Sequence, residues 1–411
     1  MKHTLQTIGM LLLLSLTACR GRAPQAAMLE EGDSIAFKYS RLLHITRYKG
    51  FHLVTVDNPW KPGMTLHRYL LVERQSSDGQ QGTLSAEQQG TLSAEQQGTS
   101  SGGPEETTNG ESLAAALGAT LVRVPLQRSV VFTSLHAALL SELGAESQLK
   151  GVADLKYMKV PWIRQGVANG TLVDCGDGMA PLIEKIIDSQ ADAILLSPFE
   201  NSGGYGRLED IDIPLIECAE YMEPSPLARA EWLRFYGMLY GRQHEADSLF
   251  ALVDSSYHAL KQLAQTSSVR RSVIVDKQTG SVWYVPGGRS TIGQMLKDAE
   301  CDYPFASDTH SGSLSLPFET VFERGGSSEV WLFRYDSEKP ITRSKLLSEQ
   351  NGYSQLTAVK TGELYGCNVM TSMFYEESPF RPDLLLQDFI QILHPDIRNL
   401  PPLRYYYKVE D

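Results

Sequence analysis

The sequence predicts an α/β protein made of two lobes joined by one long rigid helix, with a small N-terminal strand-rich addition. Three observations carry this. Short, continuously apolar runs alternate with helical patterns in two separate stretches, as expected where helices cover both faces of a parallel sheet. Between the stretches lies one helical pattern much longer than a sheet crossover needs. The stretches also echo each other. Pro181-Leu-Ile-Glu184 opens a helix leading to Ala191-Asp-Ala-Ile-Leu-Leu196, and Pro317-Phe-Glu319 opens one leading to Ser328-Glu-Val-Trp-Leu-Phe333.

Taken in order, Lys2 and His3 begin a mildly basic stretch, followed by an apolar run over residues 8–16. A membrane-spanning helix needs about 20 apolar residues. This shorter run has the length and flanks of a signal-peptide core. It ends in Leu16-Thr-Ala-Cys19, which resembles the lipobox of bacterial lipoproteins. That resemblance implies cleavage before Cys19 and lipid on its thiol, and so a periplasmic protein anchored to a membrane, with outer-membrane or surface placement as the variant. An ordinary secretory signal with an incidental cysteine is the alternative. Residues 1–18 thus read as a signal peptide, and 19–27 as a lipidated tether.

Residues 28–73 form the strand-rich segment. Phe51-His-Leu-Val-Thr-Val alternates, residues 66–72 are apolar, and Asn58-Pro-Trp-Lys-Pro-Gly63 between them is a turn. Residues 74–112 turn polar and contain Gly-Thr-Leu-Ser-Ala-Glu-Gln-Gln twice, at 82–89 and 90–97. So short a polar unit has too little apolar surface to offset ordering, about 1–2 kcal/mol per backbone residue. The segment is expected to be a disordered, expandable loop between two strands.

The first α/β lobe spans 113–240. Apolar strands are expected at 121–124, 129–132, 193–196 and 213–218. A helix starts at an N-cap Ser134 and ends at Gly144, another covers 181–188, and a third covers 226–240. Bridging residues 241–267 contain a helix over 243–265. Its stripe Ala246, Leu249, Phe250, Val253, Tyr257, Leu260, Ala264 is apolar on one side. At 1.5 Å per residue this helix is roughly 35 Å long, about the width of a small lobe. The second lobe, 268–411, restarts the pattern with strands at 272–275, 282–285, 329–333 and 364–365. Its helices lie at 291–299 and 382–393.

Composition narrows the function. The chain is 42% hydrophobic and 21% charged with a formal net charge of -12, so it repels phosphate backbones, and nucleic acid is not an expected partner. Beyond Cys19, Cys175, Cys218, Cys301 and Cys367 show no metal-knuckle spacing. Disulfides and buried thiols are both compatible with export, and no pairing follows. No nucleophile elbow, phosphate loop, dinucleotide fingerprint or zinc-protease motif occurs, so no enzyme is expected.

Four segments together are similar to the substrate-binding proteins of ABC importers for vitamin B12, iron–siderophore complexes and haem. They are Arg128-Ser-Val-Val-Phe-Thr-Ser-Leu-His136 running on to Gly144, Ile183-Glu-Lys-Ile-Ile-Asp188 running on to Leu196, Tyr353-Ser-Gln-Leu-Thr-Ala-Val-Lys-Thr-Gly-Glu-Leu-Tyr365, and Arg381-Pro-Asp-Leu-Leu-Leu386. The likeness covers about residues 121–396, and the composition and Pro-Gly-Gly turns resemble a Bacteroidota branch. The strand-rich addition and its insertion lie outside the family plan. The resemblance implies two Rossmann-like lobes, a monomer, and a permease in the inner membrane as partner. It also implies no intrinsic cofactor or resident metal. The cargo would be a small metal chelate: an iron–siderophore complex, haem or a cobalamin. The family's docking glutamates match Glu184 and Glu319. Each also sits in a first helical turn, where a carboxylate is favoured with or without a partner.

The ligand is expected in the crevice outside the strand ends. First-lobe candidates are Ser134, His136, Phe199, Glu200, Tyr205, Glu220 and Tyr221. Second-lobe candidates are Trp283, Tyr284, Arg289, His310, Arg334 and Tyr375. Aromatic rings suit a flat cargo and arginines suit its carboxylates. Haem would need an axial ligand, for which His136, His310 and Tyr205 are the candidates. A non-transport haem-capturing surface lipoprotein is the rival reading. An enzyme on the same bilobal plan is a more distant one.

Overall fold

Apolar runs dictate three layers of architecture along the chain. The computed structural model describes residues 31–74, 105–200 and 204–411. The signal peptide, the tether with Cys19 and the octapeptide repeats lie outside the described residues.

Strands β1 (Asp33–Ile35), β2 (Leu43–Tyr48), β3 (Phe51–Asp57) and β4 (Thr65–Glu73) form an antiparallel meander. The turn between β3 and β4 is held by Asn58, whose Oδ1 accepts the N–H of Trp60 (3.0 Å) and Lys61 (2.9 Å). Helix α1 (Glu105–Leu117) then leads to β5 (Thr120–Val124). The strand at 121–124 was expected in the first lobe. Instead β5 lies parallel to β4 and closes the N-terminal sheet as its fifth strand.

The first lobe is a parallel sheet in the order β12-β11-β6-β7-β8. Its strands are β6 (Ser129–Val131), β7 (Leu149–Val152), β8 (Val173–Asp174), β11 (Ala193–Leu196) and β12 (Leu215–Glu217). A short hairpin, β9 (Gly176–Asp177) and β10 (Ala180–Pro181), lies beside it. Every residue of β6 and β11 is buried, as their unbroken hydrophobicity requires. Helices α2 (Ser134–Glu142), α3 (Pro161–Ala168) and α4 (Ile183–Asp188) cover the sheet. The N-cap of α2 is Thr133 rather than Ser134: its hydroxyl accepts the His136 N–H at 3.2 Å.

The single helix expected at 226–240 is divided at Trp232 into α5 (Pro226–Glu231) and α6 (Leu233–Tyr240). Gly241, at φ 64°, ends α6 in the left-handed conformation that glycine adopts without strain. Helix α7 (Gln243–Gln265) follows, and its buried residues are Ala246, Phe250, Val253, Tyr257, Leu260 and Ala264. This is the expected stripe with Leu249 left half-buried. α7 packs on α5 and α6 at one end. Toward the other, Tyr257 and Lys261 bond Asp298 of the second lobe at 2.9 and 2.6 Å.

The second lobe contains β13 (Val273–Val275), β14 (Gln278–Thr279), β15 (Val282–Pro286), β16 (Ser313–Leu316), β17 (Val330–Tyr335), β18 (Leu364–Asn368) and β19 (Tyr407–Lys408). β13, β17 and β18 are parallel and β19 adds an antiparallel edge. β14, β15 and β16 form a separate antiparallel sheet. The helices are α8 (Thr291–Asp298), α9 (Phe318–Gly325), α10 (Arg343–Glu349), α11 (Thr357–Thr361), α12 (Phe374–Glu377) and α13 (Pro382–Leu393). α13 packs on α7, and α12 crosses to touch α2 of the first lobe. The architecture is bilobal α/β with one long linking helix.

Two buried carboxylates, Glu223 just before α5 and Glu231 at its end, tie the N-terminal segment to the first lobe. Glu231 accepts the N–H groups of Lys38 (2.8 Å), Tyr39 (2.7 Å) and Ser40 (2.9 Å). Glu223 accepts the Ser40 hydroxyl, the N–H of Arg41 (2.9 Å) and Leu42 (3.1 Å), and the Trp232 indole N–H (2.8 Å).

Candidate functional site

Parallel strands end on the same side in each lobe, and the loops leaving those ends meet across a cavity of about 530 Å³. The first-lobe wall is Thr133, Ser134 and Leu135 after β6, Ser197 to Phe199 after β11, Glu220 and Tyr221 after β12, and Arg229 on α5. The opposite wall is Thr291, Ile292 and Met295 on α8, Arg334 on β17, and Phe374 and Tyr375 on α12. Two further recesses share residues with it. One of about 640 Å³ runs into the first lobe past Phe199 and Tyr205. The other, about 630 Å³, carries Lys156, Lys159, Tyr375 and Glu376.

Each wall presents one guanidinium. Arg334 donates Nε and Nη2 to the two oxygens of Asp276 at 2.8 and 2.6 Å, a fixed bidentate pair. Burial opposes its charge, but Asp276 outweighs burial and holds Arg334 above its usual range. Its guanidinium lies 5.4 Å from the Phe374 ring centre, and its Nη1 is 3.5 Å from the Tyr375 hydroxyl. Arg229 has a buried Nε with no hydrogen-bond partner, and burial lowers its pKa against the pull of Glu220 and Tyr236. Between them, Phe199 and Tyr375 are 45% and 48% exposed, so large aromatic faces remain open to a ligand.

Beneath the first-lobe wall is a buried polar cluster. His136 is 1% exposed; its Nδ1 is 2.7 Å from the Thr133 hydroxyl and its Nε2 3.1 Å from the Tyr236 hydroxyl. Tyr236 donates to Glu220 Oε2 at 2.9 Å, and His136 Nε2 lies 3.5 Å from Glu220 Oε1. Burial opposes the His136 charge, but Cys218 and Glu220 outweigh it and lift the imidazole to about 10. Burial likewise opposes the Glu220 charge, and His136 and Arg229 hold its carboxyl low. His136, Cys218 and Glu220 present ligand atoms all within 4.8 Å of one another.

A family model described as periplasmic binding protein matches residues 130–369. The chain belongs to the periplasmic binding protein family. Such proteins are non-catalytic transport components, and this one is the binding component of an ABC importer, with a permease as its partner. The binding protein is 26% identical over 288 residues to an uncharacterized lipoprotein of Methanocaldococcus jannaschii, covering 67% of each chain. A second uncharacterized lipoprotein of that organism is 23% identical over 301 residues, covering 71% of this chain and 75% of its own. A periplasmic heme binding protein from Pseudomonas aeruginosa superposes with a TM-score of 0.54 at 16% identity, covering 69% of this chain and 99% of its own. The heme-binding protein RhuT from Roseiflexus sp. RS-1 gives 0.52 at 18%, covering 66% and 98%. These two likenesses establish the fold.

Of the residues proposed from sequence, the fold gathers Ser134, Phe199, Glu220, Tyr221, Arg334 and Tyr375 on the cleft. Tyr205 lines the adjoining first-lobe recess and donates its hydroxyl to Glu217 at 2.6 Å. Glu200 is exposed just beyond Phe199. Five others are placed differently. His136 is sealed in the cluster below. Trp283 is fully buried in the second-lobe core, its indole N–H on the Val275 carbonyl at 3.0 Å, because the inward face of β15 is the one that carries it. Tyr284, one residue on, points to the other face and is 46% exposed on the small sheet. Arg289 lines a separate recess of about 810 Å³ with Lys38 and Arg41, and exposed His310 bonds Asp308 of that recess. Arg229 and Asp276 were missed; an arginine within an amphipathic helix carries no signal of an inward orientation.

Glu184 and Glu319 each occupy the exposed first turn of α4 and α9. Glu184 pairs with Arg207 at 3.1 Å, and a backbone N–H and that arginine lower its pKa. Cys175, Cys218, Cys301 and Cys367 carry free thiols. Among the described residues no helix is long and apolar enough to cross a membrane.

Proposed function

We propose that the cargo is an anionic metal chelate of the iron–siderophore, haem or cobalamin kind. The observation that carries this is the pair of guanidiniums, Arg229 and Arg334, on opposite walls of one cleft, with open aromatic faces between them. Two arginines that far embedded hold anionic groups in fixed positions, and the rings supply contact area at low entropy cost. The cargo enters between the lobes, and the packed linker α7 limits closure to a small hinge motion. The loaded protein then docks on the permease through Glu184 and Glu319, two separated charges that fix orientation. The lipobox places the protein on a membrane surface through Cys19.

For haem, Tyr375 is the axial ligand the cleft offers, since the residue is 48% exposed and its hydroxyl makes only a long 3.5 Å contact with Arg334. His136 and Tyr205 are engaged in bonds of their own, and His310 lies by another recess. A cobalamin or ferric siderophore arrives with its metal already coordinated and needs only the arginines and rings. The test is absorbance titration of the full chain with haem, cobalamins and ferric siderophores. One of the three should bind tightly and lose at least tenfold affinity in Arg334→Ala. If none binds, or if the arginine variant binds as well as wild type, the reading fails.

A further inference from the structure

We propose that His136, Cys218 and Glu220 form a binding site for a single divalent cation of the zinc class, inside the first lobe below the cleft. The inference stands independently of the cargo. Cys218 and Glu220 flank Ala219 just after β12, and His136, distant in sequence, reaches them because α2 packs against that turn. His136, Cys218 and Glu220 are each at most 1% exposed, so the ion would be shielded from competing water.

The geometry suits the ion. Bonds of about 2.0–2.3 Å to a tetrahedral centre give ligand-to-ligand edges of about 3.3–3.8 Å. His136 Nε2 and Glu220 Oε1 are already 3.5 Å apart, and all three ligand atoms lie within 4.8 Å. Movement of well under a side-chain length completes the set. Outer contacts are also in place. The Thr133 hydroxyl at 2.7 Å from Nδ1 can accept the ring proton on that side, the arrangement usual for metal-bound histidine, while Nε2, which now faces the Tyr236 hydroxyl and Glu220, is the atom that would exchange its proton for the metal. Tyr236 donates to Glu220 Oε2 at 2.9 Å, leaving Oε1 to coordinate. The Cys218 thiol donates to the Ile216 carbonyl at 3.4 Å and faces His136 and Tyr236.

The donor set selects the metal. Sulfur with imidazole and one carboxylate favours zinc or its near neighbours over magnesium or calcium, which prefer all-oxygen cages. On binding, the thiol proton and the Nε2 proton of the His136 imidazolium both leave to solvent, and thiolate plus carboxylate neutralise the ion. Arg229 is the nearby opposing charge, and it bonds no ligand atom among the described residues. Three protein ligands leave one position for water.

The test uses the full chain in detergent after chelator treatment, titrated with cobalt(II) and then zinc(II). One equivalent of cobalt should produce a thiolate-to-cobalt charge-transfer band that zinc removes. Cys218→Ser should lose the band and Cys301→Ser should keep it. Zinc should raise the melting temperature of the wild type and leave Cys218→Ser unmoved. X-ray absorption on the zinc-loaded wild type needs no variant and should show one sulfur with nitrogen and oxygen ligands. Absence of the band, its survival in Cys218→Ser, or any other sulfur count overturns the site and leaves a closed hydrogen-bond cluster in its place.

Discussion

Replacing Glu231 by alanine tests whether the end of α5 anchors the N-terminal segment. Glu231 is 1% exposed and accepts three consecutive backbone N–H groups, from Lys38, Tyr39 and Ser40. The three losses are unequal. Lys38 is exposed, so water can replace the carboxylate at its amide. Ser40 is 9% exposed, and stranding its N–H costs about 1–3 kcal/mol. Tyr39 is half-buried and adds about 1 kcal/mol. The expected cost is therefore about 2–4 kcal/mol, against a total stability on the order of 5–15 kcal/mol for a domain. That is too little to unfold the lobes but enough to open the segment locally. Hydrogen exchange at the amides of residues 38–42 should accelerate about 30- to 1,000-fold, at tenfold per 1.4 kcal/mol. Amides of α13 should not change. Because Glu223 holds the same segment, a Glu223→Ala, Glu231→Ala double variant should lose less than the sum of the single losses. Unchanged exchange in Glu231→Ala would refute the reasoning and mean that packing alone seats the segment.

Other outcomes follow from the same geometry. Glu184→Ala with Glu319→Ala should abolish uptake and leave cargo affinity intact; normal uptake would remove both from the docking surface. Asp276→Asn should weaken cargo binding about tenfold by releasing the clamp on Arg334, and a neutral result in titration would show the clamp to be dispensable. Burial raises the Glu376 carboxyl, whose Oε2 is unpartnered. A carboxyl raised on folding contributes stability below its unfolded pKa and loses it as pH rises through the folded value. Glu376→Gln should accordingly raise the melting temperature at pH 7 and leave it unchanged near pH 3; a drop at pH 7 would contradict the burial argument. Gly237→Ala would place a Cβ 2.5 Å from the Ala246 Cβ and 3.0 Å from the Arg242 carbonyl, so it should cost about 1–3 kcal/mol in denaturant unfolding.

The linker was legible because a one-sided apolar stripe over many turns has a single helical solution, and α7 has the expected ends. Strands β11, β17 and β18 were legible as short apolar runs flanked by helix starts. Strand β5 was legible as a strand but not in its partnership. Nothing in its residues indicates that it pairs with β4 across a long connection rather than with its near neighbour β6. Side-chain direction was the second gap. Alternation separates Trp283 from Tyr284 but does not say which face meets the core. Arg289 follows β15 and His310 precedes β16, both in loops of the antiparallel β14–β15–β16 sheet, and they sit by the separate recess rather than the cleft. The pair Cys218 and Glu220 is close in sequence, but its link to His136 had no spacing to reveal it, since α2 meets that turn only through packing.

The pairing of β4 with β5 has a practical consequence. The residues carrying the octapeptide repeats join two neighbouring strands of the N-terminal sheet, and β5 is that sheet's outer edge. Register there is set by the pairing of β4 with β5, so the two strands stay in place however long the chain between them is. A reporter joined to the β4–β5 connection would therefore report on an edge of the N-terminal sheet rather than on the parallel sheets of the two lobes.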